Sequence, residues 1–347
     1  MTDSDSLDPA VDAPPGLTHP AGARRRLRPR LVRLGTLLLA VTVLVAGGVG
    51  VGAWLYYRSV ERHVARVDAF TEVPAAERPQ PVTANAMNLL VVGSDARGGD
   101  PARSRADTII LAHLTADRRK AQLISIPRDT WVYVPRSADG RRGGTNAKIN
   151  AALAWGGTPL LVRTVENFTG IRVDHVVLID FDGFQEIIDA LGGVDVQVDR
   201  TFTSIARPFR TFRAGVQRMD GAAALDFARQ RQQFPDGDFS RIRHQQAVIR
   251  AVLDKATTSG LLTDPPRLDA FLRAVAKAVT VDTALSIVQM AAELRHLGDD
   301  VSFLTSPSRG TGRVDGQSVV FPDRQRAAAL YDAIRRDEAD RWFAATS

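Results

Sequence analysis

Between residues 85 and 200 the chain sets short apolar runs between polar turns. Met87–Gly93, Thr108–Thr115, Ala121–Ile126, Val173–Asp180 and Val194–Val198 are rich in Ile, Leu and Val, and each predicts a strand. Helical spacing lies between and after them. Ala147–Ala154 is one such stretch; Pro159–Phe168 is a second, with Thr158 as cap, Pro159 at the first helical position and Gly170 as stop. Asp182–Leu191 places Phe184, Ile187, Ile188 and Leu191 at 3,4 spacing before Gly192-Gly193 ends it. Gly221–Ala228, Ser240–Thr257, Leu268–Val279, Ala284–Leu297 and Asp323–Arg336 predict further helices, with short strands near Val301–Leu304 and Ser318–Phe321. The pattern predicts one α/β (α+β layered) domain over residues 85–340, a central mixed β-sheet flanked by helices, with no internal repeat.

A different pattern precedes this domain. Leu34 to Tyr57 is a run of 24 residues without a charge, enough to cross a hydrocarbon core as a helix. It is too long for a signal-peptide core and no small-x-small cleavage site follows, so it reads as a retained transmembrane anchor. Trp54, Tyr56 and Tyr57 sit at its far end; Arg24, Arg25, Arg26, Arg28, Arg30 and Arg33 crowd its near end, against Arg58, Arg62 and Arg66 beyond it. The positive-inside rule then makes residues 1–33 a disordered basic cytoplasmic tail and puts the rest outside the cell membrane. Gly48 and Gly52 form a weak helix-pairing signal, and a homodimer stays open. Residues 58–84, with three prolines between Glu72 and Pro81, read as a stalk or linker.

The net charge of +6 and pI near 10.1 suggest nucleic acid at first sight. Much of the excess flanks the anchor, where anionic lipid is the partner, and an external domain meets no chromosomal DNA. With no cysteine there is no disulfide, thiolate zinc site or cysteine nucleophile, and the six histidines show no metal or triad spacing.

The informative polar residues are arginines and aspartates beside the predicted strands. Asp95 and Arg97 follow the first strand, Arg105 and Asp107 open the second, and Arg128 and Asp129 end the third. If the first two strands pair, Asp95 and Asp107 converge at one sheet edge and suit Mg²⁺ (or Mn²⁺), with turn and capping roles as the alternative. Arg128 either reaches the same edge or pairs with Asp107 or Asp129. Arg229 and Arg231 point the same way if the chain leaves its helix extended, as Pro235 and Gly237 favour, and would then clamp a pyrophosphate. Asp238, Arg241 and Gln245 share one helix face, where Asp238 either caps the helix and pairs with Arg241 or joins the clamp. His244 reads as a surface residue.

These residues lie in segments that resemble the LytR-CpsA-Psr family of cell-envelope phosphotransferases. The segments are Leu89-Leu-Val-Val-Gly-Ser-Asp-Ala-Arg97, Arg105-Ala-Asp-Thr108, Ser125-Ile-Pro-Arg-Asp-Thr130, Lys148-Ile-Asn-Ala-Ala152, Thr164-Val-Glu-Asn-Phe-Thr-Gly170, Asp180-Phe-Asp-Gly-Phe184, Leu191-Gly-Gly-Val194, Ala228-Arg-Gln-Arg231 and Gly237-Asp-Phe-Ser-Arg-Ile-Arg-His-Gln-Gln246. Phe227-Ala228 stands where Tyr-Val is frequent, and His244 where another basic residue is frequent.

The resemblance implies transfer of a glycopolymer (teichoic acid, arabinogalactan or capsule-like) from a polyprenyl-pyrophosphate carrier to peptidoglycan, with Mg²⁺ assisting. It implies Asp95 and Asp107 as metal ligands. Arg105, Arg128, Arg229, Arg231 and Arg241 would hold the pyrophosphate, with Asp238 and Gln245 in support. The carrier's isoprenoid tail needs an apolar groove, and helices 158–169 and 182–191 are the expected walls. A polyprenyl-pyrophosphate pyrophosphatase and a non-catalytic envelope regulator or scaffold are the alternatives.

Overall fold

The computed structural model describes residues 55–95, 104–294, 297, 300–340 and 342. The basic tail, most of the 34–57 segment, Arg97 and most of the Gly-rich loop after Asp95 lie outside the described residues. No helix among the described residues is long and apolar enough to cross a membrane.

Four of the five expected runs and the short strand near residue 301 join two unexpected strands in a seven-stranded sheet of order β1-β12-β7-β2-β3-β4-β13, while the fifth run, Val194–Val198, pairs outside it. Its strands are β1 (Ala65–Val67), β2 (Met87–Ser94), β3 (Ala106–Leu114), β4 (Ala121–Ser125), β7 (His175–Ile179), β12 (Val279–Asp282) and β13 (Val301–Thr305). β2 runs antiparallel to β3 and parallel to β7, and β4 runs parallel to β13, so the sheet is mixed. Strand alternation divides side chains between two faces. On β7, Val176 and Leu178 enter a core built with α2 (Ala151–Thr169) and α8 (Arg324–Arg335); Val177 and Ile179 pack against the core containing α6 (Pro265–Ala278).

A third core unites α3 (Phe181–Ala190), α4 (Gly221–Arg229) and α5 (Asp238–Thr258) with a ribbon of β8 (Val194–Val198) and β11 (Gly215–Met219). Two other ribbons flank the main sheet: β5 (Trp131–Val134) with β6 (Thr145–Lys148), and β14 (Ser308–Val314) with β15 (Gln317–Pro322).

Several elements differ from expectation for identifiable reasons. Residues 147 and 148 belong to β6, because main-chain pairing with Val132 and Trp131 overrides their helical spacing. The two expected helices from 147 to 168 are one element kinked at Gly156 and Gly157, where Gly157 has φ +66°. Asp282, Val281 and Thr280 pair with β1, so the helix expected to reach Val279 ends at Ala278.

The 58–84 segment is not a free stalk. A short helix α1 covers 55–61 among the described residues, β1 extends the main sheet, and Val60, Val64, Ala69 and Val73 are buried. Arg78 grips the buried Glu166 of α2 with Nη2 at 2.8 Å and Nε at 3.1 Å from Oε1. The pair ties this segment to α2, since withdrawing Arg78 would leave the Glu166 carboxylate buried without its partner.

The expected lipid-groove walls also differ. α2 buries Leu160, Leu161 and Val165 against the sheet and α8. α3 commits Phe184 and Ile188 to the third core, and a Cβ at its Gly183 would lie 2.2 Å from the Ala278 carbonyl of α6. The apolar faces of both helices are spent on internal packing.

Candidate active site

β2 and β3 do pair, and their register breaks at the end that carries the acidic residues. Gly93 faces Thr108 while Ser94 faces Ala106, leaving Asp107 as the extra residue of a bulge. Asp95 follows directly: its backbone N–H bonds Arg105 O at 3.3 Å, and its Oδ1 accepts the Arg105 backbone N–H at 3.0 Å. The two carboxylates therefore belong to the last positions of one strand pair, as the spacing suggested. The exposed Arg105 meets Asp95 through its main chain.

The turn after β4 is fixed before any side chain is considered. Thr130 N and Oγ1 both donate to Pro127 O, at 2.9 and 2.6 Å; Asn150 N donates to Arg128 O at 3.2 Å, and Val320 N to Asp129 O at 2.9 Å. On this platform Arg128 Nη1 pairs with Asp107 Oδ1, joining the turn to the bulge. Arg128 Nε lies 4.0 Å from Asp129 Oδ2 and 3.8 Å from Asp238 Oδ1.

Asp238 is the meeting point. It is the first residue of α5, but Gly237 holds the N-cap position and no side-chain cap bond forms there. Its Oδ1 lies 2.6 Å from Arg241 Nη2, 3.7 Å from Arg231 Nη1 and 3.8 Å from Arg128 Nε. Three guanidiniums from separate parts of the chain thus share one carboxylate that is 10% exposed. Burial raises the Asp238 carboxyl against the pull of Arg241 and Arg128, and burial lowers Arg241 against the pull of Asp238. Gln245 lies one turn beyond Arg241 on α5, half-buried.

Arg229 and Arg231 bracket the buried Gln230, whose backbone is extended at φ −70°, ψ 130°. Gln230 is held firmly: Nε2 donates to Asp226 Oδ1 at 2.7 Å and Ser204 Oγ at 3.0 Å, and Oε1 accepts Ile205 N–H at 3.2 Å. Arg231 joins Asp238, while Arg229 stacks over the Phe181 ring at 4.4 Å. The expected extended exit is present, but the contacts of the two arginines differ.

Sequence reasoning missed two participants. Lys148 Nζ lies 3.3 Å from Asp129 Oδ1, and its signal in the sequence is the Lys148-Ile-Asn segment. His244 is buried, not at the surface: its ring stacks on Phe202 at 5.4 Å and packs on Phe227 at 4.5 Å and Phe234 at 5.0 Å. Burial lowers its imidazole, which keeps it neutral among these rings. Gln246, also unassigned, ties α5 to the sheet through Leu304 O at 2.9 Å and Ser125 Oγ at 3.1 Å.

The electrostatic balance indicates the ligand. Arg128, Lys148, Arg231 and Arg241 face Asp107, Asp129 and Asp238, four cations against three carboxylates. The Nε groups of Arg128 and Arg241 are buried and make no hydrogen bond among the described residues, and neither do the two carboxylate oxygens of Asp238, which meets its arginines as ion pairs. A buried guanidinium N–H without an acceptor is costly, and a multiply charged oxyanion would satisfy both guanidiniums. Among the described residues no group of three or more His, Cys, Asp or Glu is placed to hold a metal ion by itself. Asp95 and Asp107 are hard oxygen donors that fit Mg²⁺ once phosphate oxygens and water complete the set.

Comparison with known proteins identifies the family. The profile of the LytR_cpsA_psr family matches residues 57–336. Transferase TagU of Halalkalibacterium halodurans, a polyisoprenyl-teichoic acid–peptidoglycan teichoic acid transferase, is 30% identical over 307 residues, covering 87% of this chain and 96% of its own. The cell wall biosynthesis protein LcpA of Corynebacterium glutamicum is 31% identical over 288 residues; the match covers 71% of this chain and only 55% of LcpA. The fold superposes on B. subtilis TagV with a TM-score of 0.62 and 25% identity, over 75% of this chain and 99% of that one. The family match over most of the chain, the similarity to TagU and the shared fold establish that the chain belongs to the LytR_cpsA_psr family.

Proposed function

We propose that this protein transfers a glycopolymer from a polyprenyl-pyrophosphate carrier to peptidoglycan, forming a phosphodiester bond. The observation that carries the reading is the convergence of Arg128, Arg231 and Arg241 on Asp238, with two buried Nε–H groups left for an anion. The names of the relatives TagU and LcpA support it.

The arginine cluster would hold the pyrophosphate. An acceptor hydroxyl attacks the phosphorus on the sugar side, the bridging P–O bond breaks, and polyprenyl phosphate leaves. Charge grows on the leaving phosphate, where fixed guanidiniums act without reorganising. Arg128 would orient the diphosphate from the rigid turn after β4, and Arg241 and Arg231 would hold it from the start of α5 and the exit of α4. Arg105 and Arg229 would serve the rim, and Gln245 would support the cluster from α5. Asp95 and Asp107 would hold Mg²⁺, which when bound neutralises phosphate charge. We further propose that residues 34–57 anchor the chain in the cell membrane, with the catalytic unit outside.

The reading is tested with the full-length protein in detergent, a polyprenyl-pyrophosphate-linked saccharide, Mg²⁺ and soluble peptidoglycan oligomers. Mass spectrometry should find a saccharide–phosphate–peptidoglycan adduct. Free saccharide phosphate alone would favour the pyrophosphatase, and an intact donor would favour the scaffold.

A further inference from the structure

An open cleft of about 320 Å³ is lined by Trp131, Arg309, Phe321, Pro322 and Arg324. Three links join it to the arginine cluster. Trp131 is two residues beyond Asp129. It pairs directly opposite Lys148 across the β5–β6 ribbon, so the two share one face, and Lys148 Nζ is 3.3 Å from Asp129. Val320, which precedes Phe321, donates its N–H to Asp129 O at 2.9 Å.

The lining has a definite chemistry. Trp131 and Phe321 offer aromatic surface, and Phe321 is 37% exposed. The Phe321 ring is seated over Gly312, where an added Cβ would lie 2.6 Å from its Cε2, so the glycine on β14 makes room for it. Neither the Arg309 nor the Arg324 guanidinium has a hydrogen bond or ion pair among the described residues, in contrast to the paired arginines of the cluster. Aromatic faces suit sugar rings, and two free guanidiniums suit carboxylates or phosphates.

We infer that this cleft is the subsite for the acceptor, an acidic amino-sugar chain whose rings lie on Trp131 and Phe321 and whose carboxylates meet Arg309 and Arg324. The inference rests on the transferase reading and adds the direction from which the acceptor arrives. A chain held here runs toward the Asp129 turn, which delivers one of its hydroxyls beside the diphosphate.

The test compares wild-type full-length protein with Arg309→Gln/Arg324→Gln and with Trp131→Ala, each checked for folding by circular dichroism. Transfer rates are taken against uncrosslinked peptidoglycan strands at saturating donor, and against donor at saturating strands. Tryptophan fluorescence follows binding of the same strands and of a neutral chito-oligosaccharide. Loss of two charge-assisted contacts should raise the acceptor KM about tenfold or more, leave the donor KM unchanged, and weaken binding of the acidic strands more than of the neutral ones. An unchanged acceptor KM overturns the inference, as does a rise confined to the donor KM, which would assign the cleft to the donor polymer. If wild type forms no adduct, the transferase reading fails on its own. The subsite then stands if the acidic strands bind wild type and not the double variant, and falls if they bind neither or both.

Discussion

Removing the Arg128 side chain perturbs both chemistry and charge balance. Its Nη1 pairs with Asp107, its Nε is buried without an acceptor, and Asp238 and Asp129 lie at 3.8 and 4.0 Å. Arg128→Ala turns four cations against three carboxylates into three against three, so the site loses its net attraction for a diphosphate. A preorganised donor lost from a developing oxyanion costs about 3 to 4 kcal/mol, or 10² to 10³ in rate. Stability falls less: Asp107 is about one-fifth exposed, so the broken pair should cost roughly 2 kcal/mol, below the 3 to 5 of a fully buried pair. Arg128→Lys keeps the charge and loses the planar fork, so it should recover part of the loss. The assay is kcat/KM for adduct formation, run below the melting midpoint of every variant. Arg128→Ala within threefold of wild type would refute a transition-state role, and full activity in Arg128→Lys would refute the need for the fork.

Three further expectations follow from the same contacts. Arg78→Ala strands the buried Glu166 carboxylate and should cost about 3 kcal/mol in urea unfolding, whereas Arg78→Met/Glu166→Leu should recover most of it; a loss under about 1 kcal/mol would return residues 58–84 to a passive stalk. Burial holds the Asp238 carboxyl above its ordinary 3.8, so the folded chain keeps that proton to higher pH than the unfolded chain, and stability declines as pH rises from 3.8 through the raised value. Asp238→Asn should abolish that decline and be no less stable than wild type at pH 7 while transfer falls; a clearly less stable variant in urea titrations at pH 7 would contradict this. Asp95→Asn and Asp107→Asn should each weaken Mn²⁺ binding about tenfold in the presence of inorganic pyrophosphate, read by electron paramagnetic resonance, and unchanged titrations would remove both from the metal site.

Local signals were legible where one residue's chemistry decides the outcome. The 3,4 spacing of Phe184, Ile187 and Ile188 gives the inward face of α3, and Gly170 ends α2 at φ +68°. The apolar runs gave the central strands, because strands covered on both faces must be apolar throughout. Pairing between distant segments was not legible. The four-residue strands β5 and β6 exist because each satisfies the other's backbone, a fact carried by neither alone. The sheet edge for Asp95 and Asp107 could be anticipated from adjacent strands. The position of Asp238 between Arg128 and Arg231 required the long return of α5 onto the sheet, fixed by Gln246 on Leu304. His244 misled because its sequence neighbours are polar, whereas Phe202, Phe227 and Phe234, which bury it, come from other elements.

The central claim is that the arginine cluster carries out transfer to an acceptor. The most direct measurement incubates full-length wild type and Arg128→Ala with a lipid-pyrophosphate saccharide whose sugar-side phosphorus is isotopically labelled, together with peptidoglycan strands, and locates the label. The account predicts that wild type places the label in a phosphodiester on peptidoglycan and that Arg128→Ala does so at least a hundredfold more slowly. Label recovered only in free saccharide phosphate, or adduct formed equally by both proteins, would contradict it.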